Sequence, residues 1–138
     1  AAGNNGPRNM SITTPGISRK VITVGCSDDD REVLVGGNRM VDYSGRGPTA
    51  ACICKPDLVA PGCSVVSCSS RADKYTIKSG TSMSTPIVSG AVALLLERFP
   101  DMTNKDVKLR LRESSVDIGL PRNQQGWGLL DVGKMIGK

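Results

Sequence analysis

The chain has 138 residues, of which 38% are apolar and 3% aromatic, and it carries a net charge of +5. This composition excludes a disordered chain and indicates one globular domain, or part of one, with an aliphatic core. The cations are dispersed except for Lys105, Lys108, Arg110 and Arg112, which we interpret as the solvated face of a helix. Aromatic residues do not alternate with these cations, so nucleic-acid binding is not expected.

Short strands separated by loops are predicted for the first half of the chain. Residues 1–20 are rich in Gly, Asn, Pro, Ser and Thr, which predicts a loop after a strand that ends near Ala2. The apolar run at 21–25 predicts a strand buried on both faces, as in a parallel sheet. Glycines and prolines throughout 42–63 predict a loop on the surface. Three more short strands are predicted at 33–35, 65–68 and 75–77.

The clearest helix is predicted from Thr81 or Ser82 to about Phe99. Ser and Thr are good N-cap residues, and Pro86 falls near the first turn, where a missing N–H costs little. Apolar residues then cover nearly all sides of the helix, which predicts that it is buried at the centre of a domain.

A second helix is predicted to begin after Thr103, with Asp106 as the acidic partner of a capping box. A short third helix is predicted over about 130–136, after a Gly-Trp-Gly turn. The apolar contacts of the second helix are predicted to come from Val107, Leu109 and Leu111.

The sequence SGTSMSTP at 79–86 leads from a small, glycine-containing loop directly into the buried helix. Ser82 at this junction would lie at the positive end of the helix dipole, with a backbone N–H that has no intrahelical partner. That arrangement suits a nucleophile, because the N–H would lie beside negative charge developing on a carbonyl oxygen. Serine N-caps are common, however, so the residues alone leave both interpretations of Ser82 open.

Asn4 follows small residues at the predicted end of a strand. Its side-chain amide would supply a second donor to the same oxyanion, although Asn-Asn-Gly is also ordinary turn chemistry. Asn4 is a candidate site residue only when it is considered together with the serine segment at 79–86.

Six blocks occur in the same order as in the subtilase family of subtilisin-like serine proteases, and together they span almost the whole chain. AAGNNGP resembles the oxyanion block and TTPGISRKVITVG the strand after it. YSGRGPT and KPDLVAPG resemble the next two blocks. SGTSMSTPIVSGAVALL resembles the nucleophile block, and GWGLLD the closing turn. TTPGISRKVITVG and Pro86-Ile87 are most similar to the intracellular, AprX-like bacterial branch.

This resemblance implies an α/β fold. Residues 1–138 would form the C-terminal part of a single catalytic domain with three layers. The sheet would be mostly parallel, and a buried central helix would follow the nucleophile.

The resemblance also implies a serine endopeptidase that cleaves peptide bonds through an acyl-enzyme. Ser82 would be the nucleophile, and its backbone N–H and the Asn4 amide would form the oxyanion hole. The absence of charge at the implied substrate-binding positions predicts tolerance for uncharged side chains. These positions are Ser79 and Gly80 along the substrate path, and Ala2, Gly3 and Thr13 near the pocket for the side chain before the scissile bond.

The sequence contains no His, whereas the family activates its serine with a His oriented by an Asp, both earlier in sequence than the oxyanion Asn. We therefore interpret the chain as a C-terminal fragment that is inactive alone, with the N-terminal part of the same polypeptide as its partner. Apolar surface left uncovered by that part predicts self-association or exchange of elements between copies. The alternative is a pseudopeptidase that acts as a binding or regulatory protein.

No cofactor or metal site is expected. Many relatives use calcium, but residues 28–30, three consecutive aspartates, lack the spaced ligands of a calcium loop. The odd number of cysteines, five, argues against a disulfide framework and favours thiols in the cytoplasm, with a secreted protein as the alternative. No apolar run is long enough to span a membrane.

Overall fold

The computed structural model describes residues 1–27, 43–70 and 74–137. The predicted α/β class is confirmed, although the strand predicted at 33–35 lies outside the described residues. The elements in chain order are β1 (Val24–Ser27), β2 (Leu58–Pro61), β3 (Val65–Cys68), β4 (Tyr75–Lys78), α1 (Thr81–Arg98), α2 (Asn104–Ser114), α3 (Arg122–Gln125) and α4 (Val132–Ile136).

β1 and β2 form the parallel sheet on which the site is built, with Val24 opposite Leu58 along the register. All four residues of β1 are buried. The strand was predicted at 21–25 and begins later, because the Thr23 N–H donates to the Asp57 carboxylate, 2.7 Å away, and not to a neighbouring strand. Thr23 therefore ends the preceding loop.

β2 overturns the prediction that residues 42–63 form a surface loop. Leu58, Val59 and Ala60 are fully buried. Val59 also makes a parallel bridge to Leu129, so β2 has a neighbour on each side. The apolar run is only three residues long and is bounded by prolines, which explains why the sequence pattern favoured a loop.

β3 and β4 confirm the strands predicted at 65–68 and 75–77. They form an antiparallel hairpin separate from the parallel sheet. Val66 lies opposite Ile77, and Cys68 lies opposite Tyr75. All four are exposed, Val66 by 63% and Ile77 by 66%. The hairpin thus presents an uncovered apolar face close to the start of α1.

α1 has nearly the predicted bounds, but it is not buried on all sides. Leu94 is 50% exposed, because the elements of this chain cover one side of the helix, mainly β1 and β2. The buried side is a narrow stripe formed by Thr81, Ser84, Val88, Ala91 and Leu95.

α2 begins with the predicted capping box. The Thr103 hydroxyl and backbone N–H both donate to the Asp106 carboxylate, and they lower the pKa of that carboxyl below its ordinary value. Val107 and Leu111 are buried as predicted, whereas Leu109 is 53% exposed. Residues four apart share a helix face and residues two apart do not, which explains the error at Leu109.

Two of the four cations interpreted as a solvated face are bound to backbone oxygens, so that interpretation is wrong for them. Arg110 Nε donates to the Met135 carbonyl at 2.7 Å. Lys108 Nζ donates to the Arg19 carbonyl at 3.0 Å. Both side chains attach α2 to other parts of the fold.

A buried ion pair supports the start of β2. Lys55 is 1% exposed, and its ammonium lies 2.6 Å from Asp57 Oδ2 and donates to the Val21 carbonyl at 2.9 Å. Lys108 Nζ approaches Asp57 Oδ1 at 3.7 Å. The pair therefore connects the segment before β1, the segment before β2 and α2.

The predicted third helix corresponds to α4, whereas α3 was not predicted. Cys52, Cys54, Cys63 and Cys68 are free thiols. In the described ranges, no group of three or more His, Cys, Asp or Glu side chains is placed to hold a metal, and the aspartates at 28–30 lie outside those ranges. No helix in the same ranges has the length and hydrophobicity needed to cross a bilayer.

Candidate active site

At the N-terminus of α1, the Ser82 hydroxyl forms no hydrogen bond with the described residues. Gly80 is the N-cap residue, and its φ of 149° favours glycine. Because glycine has no side chain, Gly80 cannot accept a hydrogen bond from the N–H groups of the first turn. Ser82 is the second helical residue and is exposed. Neither its hydroxyl nor its backbone N–H has a hydrogen-bond partner among the described residues. The interpretation of Ser82 as an N-cap is therefore wrong, and both groups face solvent.

Asn4 supplies the cap that Gly80 lacks. Its Oδ1 accepts a hydrogen bond from the Thr81 backbone N–H at 3.1 Å and another from the Thr81 hydroxyl at 2.9 Å. Its Nδ2 lies 3.2 Å from the point where a Cβ on Gly80 would stand. The carboxamide of Asn4 is thus fixed beside the residue that precedes Ser82, and its N–H donors are left for another group.

Thr81 is a further residue of the candidate site that the sequence interpretation did not single out. Its side chain is 1% exposed. Besides donating to Asn4, its hydroxyl accepts from the Gly3 N–H at 3.2 Å. Its position in the sequence, between the N-cap glycine and the exposed serine, could have indicated this role. A hydroxyl in the first turn of a helix can form a hydrogen bond with a loop that passes the helix.

If the full-length protein has the activity that the ordered blocks imply, Thr81→Val is expected to lower kcat about 10- to 100-fold, because the Asn4 carboxamide loses one of the two bonds that orient it. KM for a peptide substrate is expected to change little. Thr81→Ser keeps the hydroxyl and should restore most of the activity. Equal activity in the Val and Ser variants would show that this hydroxyl does not position Asn4.

The loop that carries Asn4 is held in place by two distant segments. The Ala2 N–H donates to the Val24 carbonyl at 2.8 Å, which joins the loop to β1. The Gly45 N–H donates to the Gly3 carbonyl at 2.8 Å. A Cβ on Gly45 would lie 2.6 Å from the Ala2 carbonyl oxygen, too close to be accommodated without a shift. Residue 45 therefore has to be glycine for the loop to approach.

Ala2, Gly3 and Thr13 lie together as one side of this loop. The Thr13 N–H donates to the Ala2 carbonyl at 3.0 Å, and a Cβ on Gly3 would lie 2.8 Å from Thr13 Cγ2. Ala2 is fully buried, whereas Gly3 and Thr13 are half-buried. Gly3 and Thr13 are thus open to a bound ligand, and Ala2 supports them from below.

Ser79 and Gly80 form the approach to Ser82. The Ser79 hydroxyl is exposed and accepts from the Ser64 N–H at 2.8 Å. The buried Gly80 donates its N–H to the Gly62 carbonyl at 2.8 Å. These two bonds attach Ser79 and Gly80 to the turn after β2. The predicted site residues of the Asn4 loop and of the N-terminus of α1 therefore lie together at the carboxyl ends of β1 and β2.

Residues 1–128 match the sequence model of the subtilase family. The chain belongs to the subtilase family. The resemblance inferred from the ordered blocks is therefore confirmed, and Ser82 and Asn4 fall within the matched range.

Individual subtilases give the same result. Over 128 residues the chain is 41% identical to the serine protease AprX of Bacillus subtilis, in a match that covers 83% of this chain and 29% of AprX. It is 33% identical to halolysin of Haloferax mediterranei, with 99% of this chain and 23% of halolysin covered. The predicted similarity to the AprX-like branch is thereby confirmed.

Solved subtilase structures superpose on the chain. The CspB protease of Clostridium perfringens gives a TM-score of 0.76 at 29% identity and covers 93% of this chain and 28% of that protein. The prenylagaramide maturation protease PagA gives a TM-score of 0.76 at 27% identity, with 98% and 47% covered. The chain spans less than a third of AprX, halolysin and CspB, and less than half of PagA.

The site combines a free hydroxyl with two free N–H donors but holds no imidazole, because the sequence contains no His. A serine hydroxyl needs a base to become nucleophilic at neutral pH. The groups present are suited to binding and stabilising an oxyanion, and the 138 residues offer no imidazole to act as the base.

Proposed function

We propose that the full-length protein containing this chain is a serine endopeptidase with Ser82 as its nucleophile. The observation that carries the proposal is the meeting of two otherwise unused groups at the N-terminus of α1. One is the exposed Ser82 with its free N–H, and the other is the carboxamide of Asn4, held by Thr81. Residues 1–138 would be the C-terminal part of the catalytic domain.

In the proposed reaction, Ser82 Oγ attacks the carbonyl carbon of the scissile peptide bond and transfers its proton to a base. The carbonyl oxygen becomes an oxyanion that accepts hydrogen bonds from the Ser82 N–H and from Asn4 Nδ2. Collapse of this intermediate expels the amine, which takes the proton, and leaves an ester on Ser82. A water molecule then cleaves the ester by the same steps.

The base and the residue that orients it would be the His and Asp of the family, supplied by an N-terminal part of the same polypeptide. The isolated chain should therefore be inactive. The exposed hairpin face and Leu94 are apolar surfaces for that part to cover. In its absence we expect the fragment to self-associate or exchange elements between copies.

A fluorophosphonate probe tests the assignment, because it reacts with activated serines only. The full-length protein is expected to be labelled at Ser82, as located by mass spectrometry of the peptides, and the isolated 138-residue chain is expected not to be labelled. A folded full-length protein that resists the probe would overturn the proposal and favour a pseudopeptidase.

Asn4→Ala and Asn4→Asp in the full-length protein are both expected to lower kcat by about 10²–10³-fold, with little change in KM. That range was measured in a subtilisin. The Asp variant keeps an oxygen for the Thr81 N–H and replaces the donor by a charged carboxylate oxygen that repels an oxyanion, so it preserves helix capping while removing oxyanion binding. Asn5→Ala, at the exposed neighbouring position, serves as the control and should retain full activity. Normal activity of Asn4→Asp would remove Asn4 from the oxyanion hole.

The substrate would be a protein or peptide with an uncharged side chain before the scissile bond, since Gly3 and Thr13 place no charge there. Ser79 and Gly80 would contact the substrate backbone. Acyl transfer of this kind requires no cofactor or metal. The free thiols support a cytoplasmic location for the full-length protein.

A further inference from the structure

A group of cations lies where α2 contacts the segment before β1. Lys108 Nζ donates to the carbonyl oxygens of Arg19 at 3.0 Å and Val21 at 3.4 Å, which holds that segment against the helix. Lys105 and Arg112 lie three residues before and four residues after Lys108, so they share its side of α2. The basic patch consists of Arg19, Lys20, Lys105, Lys108 and Arg112.

Most of the charge of the basic patch is not neutralised within the described part of the chain, where Lys108 pairs with Asp57 and Lys105 interacts at longer range with Asp106. No carboxylate there lies within ion-pair distance of any patch cation other than Lys108. The acids of α2, Asp106 and Glu113, are turned about 100° away from their neighbours Lys105 and Arg112. The exposed members of the patch are Arg19, Lys20, Lys105 and Arg112.

The basic patch is held in a defined arrangement. Lys108 Nζ lies 3.7 Å from Asp57 Oδ1, and Asp57 Oδ2 lies 2.6 Å from the buried ammonium of Lys55. The patch is therefore anchored to the interior through Lys108. Its exposed cations stand on a helix and on a segment bonded to that helix, which reduces the ordering cost of binding a partner.

The basic patch and Ser82 lie at opposite ends of the parallel sheet. Val21 precedes the amino end of β1, whereas Ser27 at its carboxyl end accepts a hydrogen bond from the Gly62 N–H, and Gly62 bonds in turn to Gly80. Four strand residues span about 13 Å. A partner on the patch would therefore leave the catalytic site open.

The chemistry of the basic patch favours one class of partner. Leu109 is 53% exposed and projects from α2 between Lys105 and Arg112. On α2, Leu109 borders Lys105 and Arg112 on one side and Asp106 and Glu113 on the other. An apolar contact beside a row of cations matches a polypeptide segment that carries several carboxylates and an apolar side chain. No aromatic residue belongs to the patch, so it offers nothing for bases to stack on. A protein binds a membrane surface through several large apolar side chains, whereas the basic patch has one.

We propose that the basic patch is a docking site for an acidic segment of a polypeptide, separate from the catalytic site. Carboxylates of the segment pair with Lys105, Arg112, Arg19 and Lys20, and an apolar side chain contacts Leu109. Such binding holds a protein at the enzyme without occupying Ser82.

The test uses the full-length protein and a fluorescent peptide of eight glutamates with two central leucines, in a fluorescence anisotropy titration at low ionic strength. The peptide is expected to bind, and binding is expected to weaken as salt screens the charges. Lys105→Glu combined with Arg112→Glu should weaken binding at least about tenfold, at the level of two reversed exposed pairs. A matching peptide with glutamine in place of glutamate should not bind.

Arg8→Glu combined with Lys74→Glu is the matched control, because it changes the net charge equally at exposed positions outside the patch. It should bind the peptide like the unaltered protein. Prior labelling of Ser82 with the fluorophosphonate should leave peptide binding unchanged, which separates the patch from the substrate cleft. Both double variants should keep the thermal unfolding midpoint within a few degrees.

Three results would overturn the proposal: absence of peptide binding at low salt, equal weakening in the Arg8/Lys74 variant, or loss of binding after Ser82 is labelled. Single-stranded DNA and vesicles containing phosphatidylserine are titrated in parallel. Tighter binding of either one, lost in the Lys105/Arg112 variant, would also overturn the assignment to an acidic polypeptide. None of these results bears on whether Ser82 is the nucleophile.

Discussion

Ser82→Ala in the full-length protein is expected to reduce kcat by about 10⁶-fold, the size of the loss when the nucleophile is removed from a subtilisin. The variant should fold normally, because the Ser82 hydroxyl is exposed and bonds to none of the described residues. Peptide binding should persist, since the oxyanion donors remain. Hydrolysis of a chromogenic peptide and fluorophosphonate labelling measure the loss.

Ser84→Ala is the matched control, two residues further along α1. The Ser84 hydroxyl is fully buried and has no hydrogen-bond partner in the described part of the chain. Its removal is expected to leave activity unchanged and stability equal or slightly higher, because an unsatisfied buried hydroxyl is destabilising. A loss of activity at Ser84 equal to that at Ser82 would indicate damage to the helix and not to a nucleophile.

Asp57→Asn is expected to destabilise the full-length protein by about 3–5 kcal/mol, because it leaves the buried Lys55 ammonium without its counter-charge. The ammonium of Lys55 is 2.6 Å from Asp57 Oδ2. The carboxylate also accepts the Thr23 N–H at the start of β1. Urea unfolding, followed by circular dichroism, would report the change as a lower midpoint.

Asp131→Asn provides the control for this prediction. Asp131 pairs with Lys134 at 3.8 Å, and the two side chains are 32% and 60% exposed. Asparagine keeps the capping bond to the Lys134 N–H, so the expected loss is below about 1 kcal/mol. Similar losses in the free energy of unfolding for Asp57→Asn and Asp131→Asn would show that burial does not strengthen the contribution of the Lys55–Asp57 pair to stability.

The residues of the proposed site were easier to identify from the sequence than the sheet that supports them. Ser82 and Asn4 stand in short segments whose composition predicts a helix start and a turn, and their roles were implied by the resemblance of the ordered blocks to the subtilase family. β2 was missed because three apolar residues between prolines carry no periodicity. The exposed side of α1 was missed because its apolar residues match a helix buried on all sides, and the sequence does not show which neighbours are present.

The role of Thr81 was missed for a different reason. Its two bonds join residues 77 or more positions apart, and no local pattern reports a contact at that separation. The same holds for Lys108, whose charge indicated solvent while its partners Arg19 and Asp57 lie far away in sequence. Charge and spacing in the sequence predict whether a side chain is exposed, but its hydrogen-bond partner depends on the tertiary fold.

The hydrogen bond from Gly45 to Gly3 makes the alignment of the oxyanion donor depend on a stretch of chain about forty residues away. A methyl group at position 45 would push the Ala2 carbonyl outward and carry Asn4 with it. Residue 45 is not among the residues proposed to contact the substrate or to act as the nucleophile. In the proposed protease, a side chain at position 45 would nevertheless lower activity, so sequence changes there would be constrained although the position lies outside the proposed site.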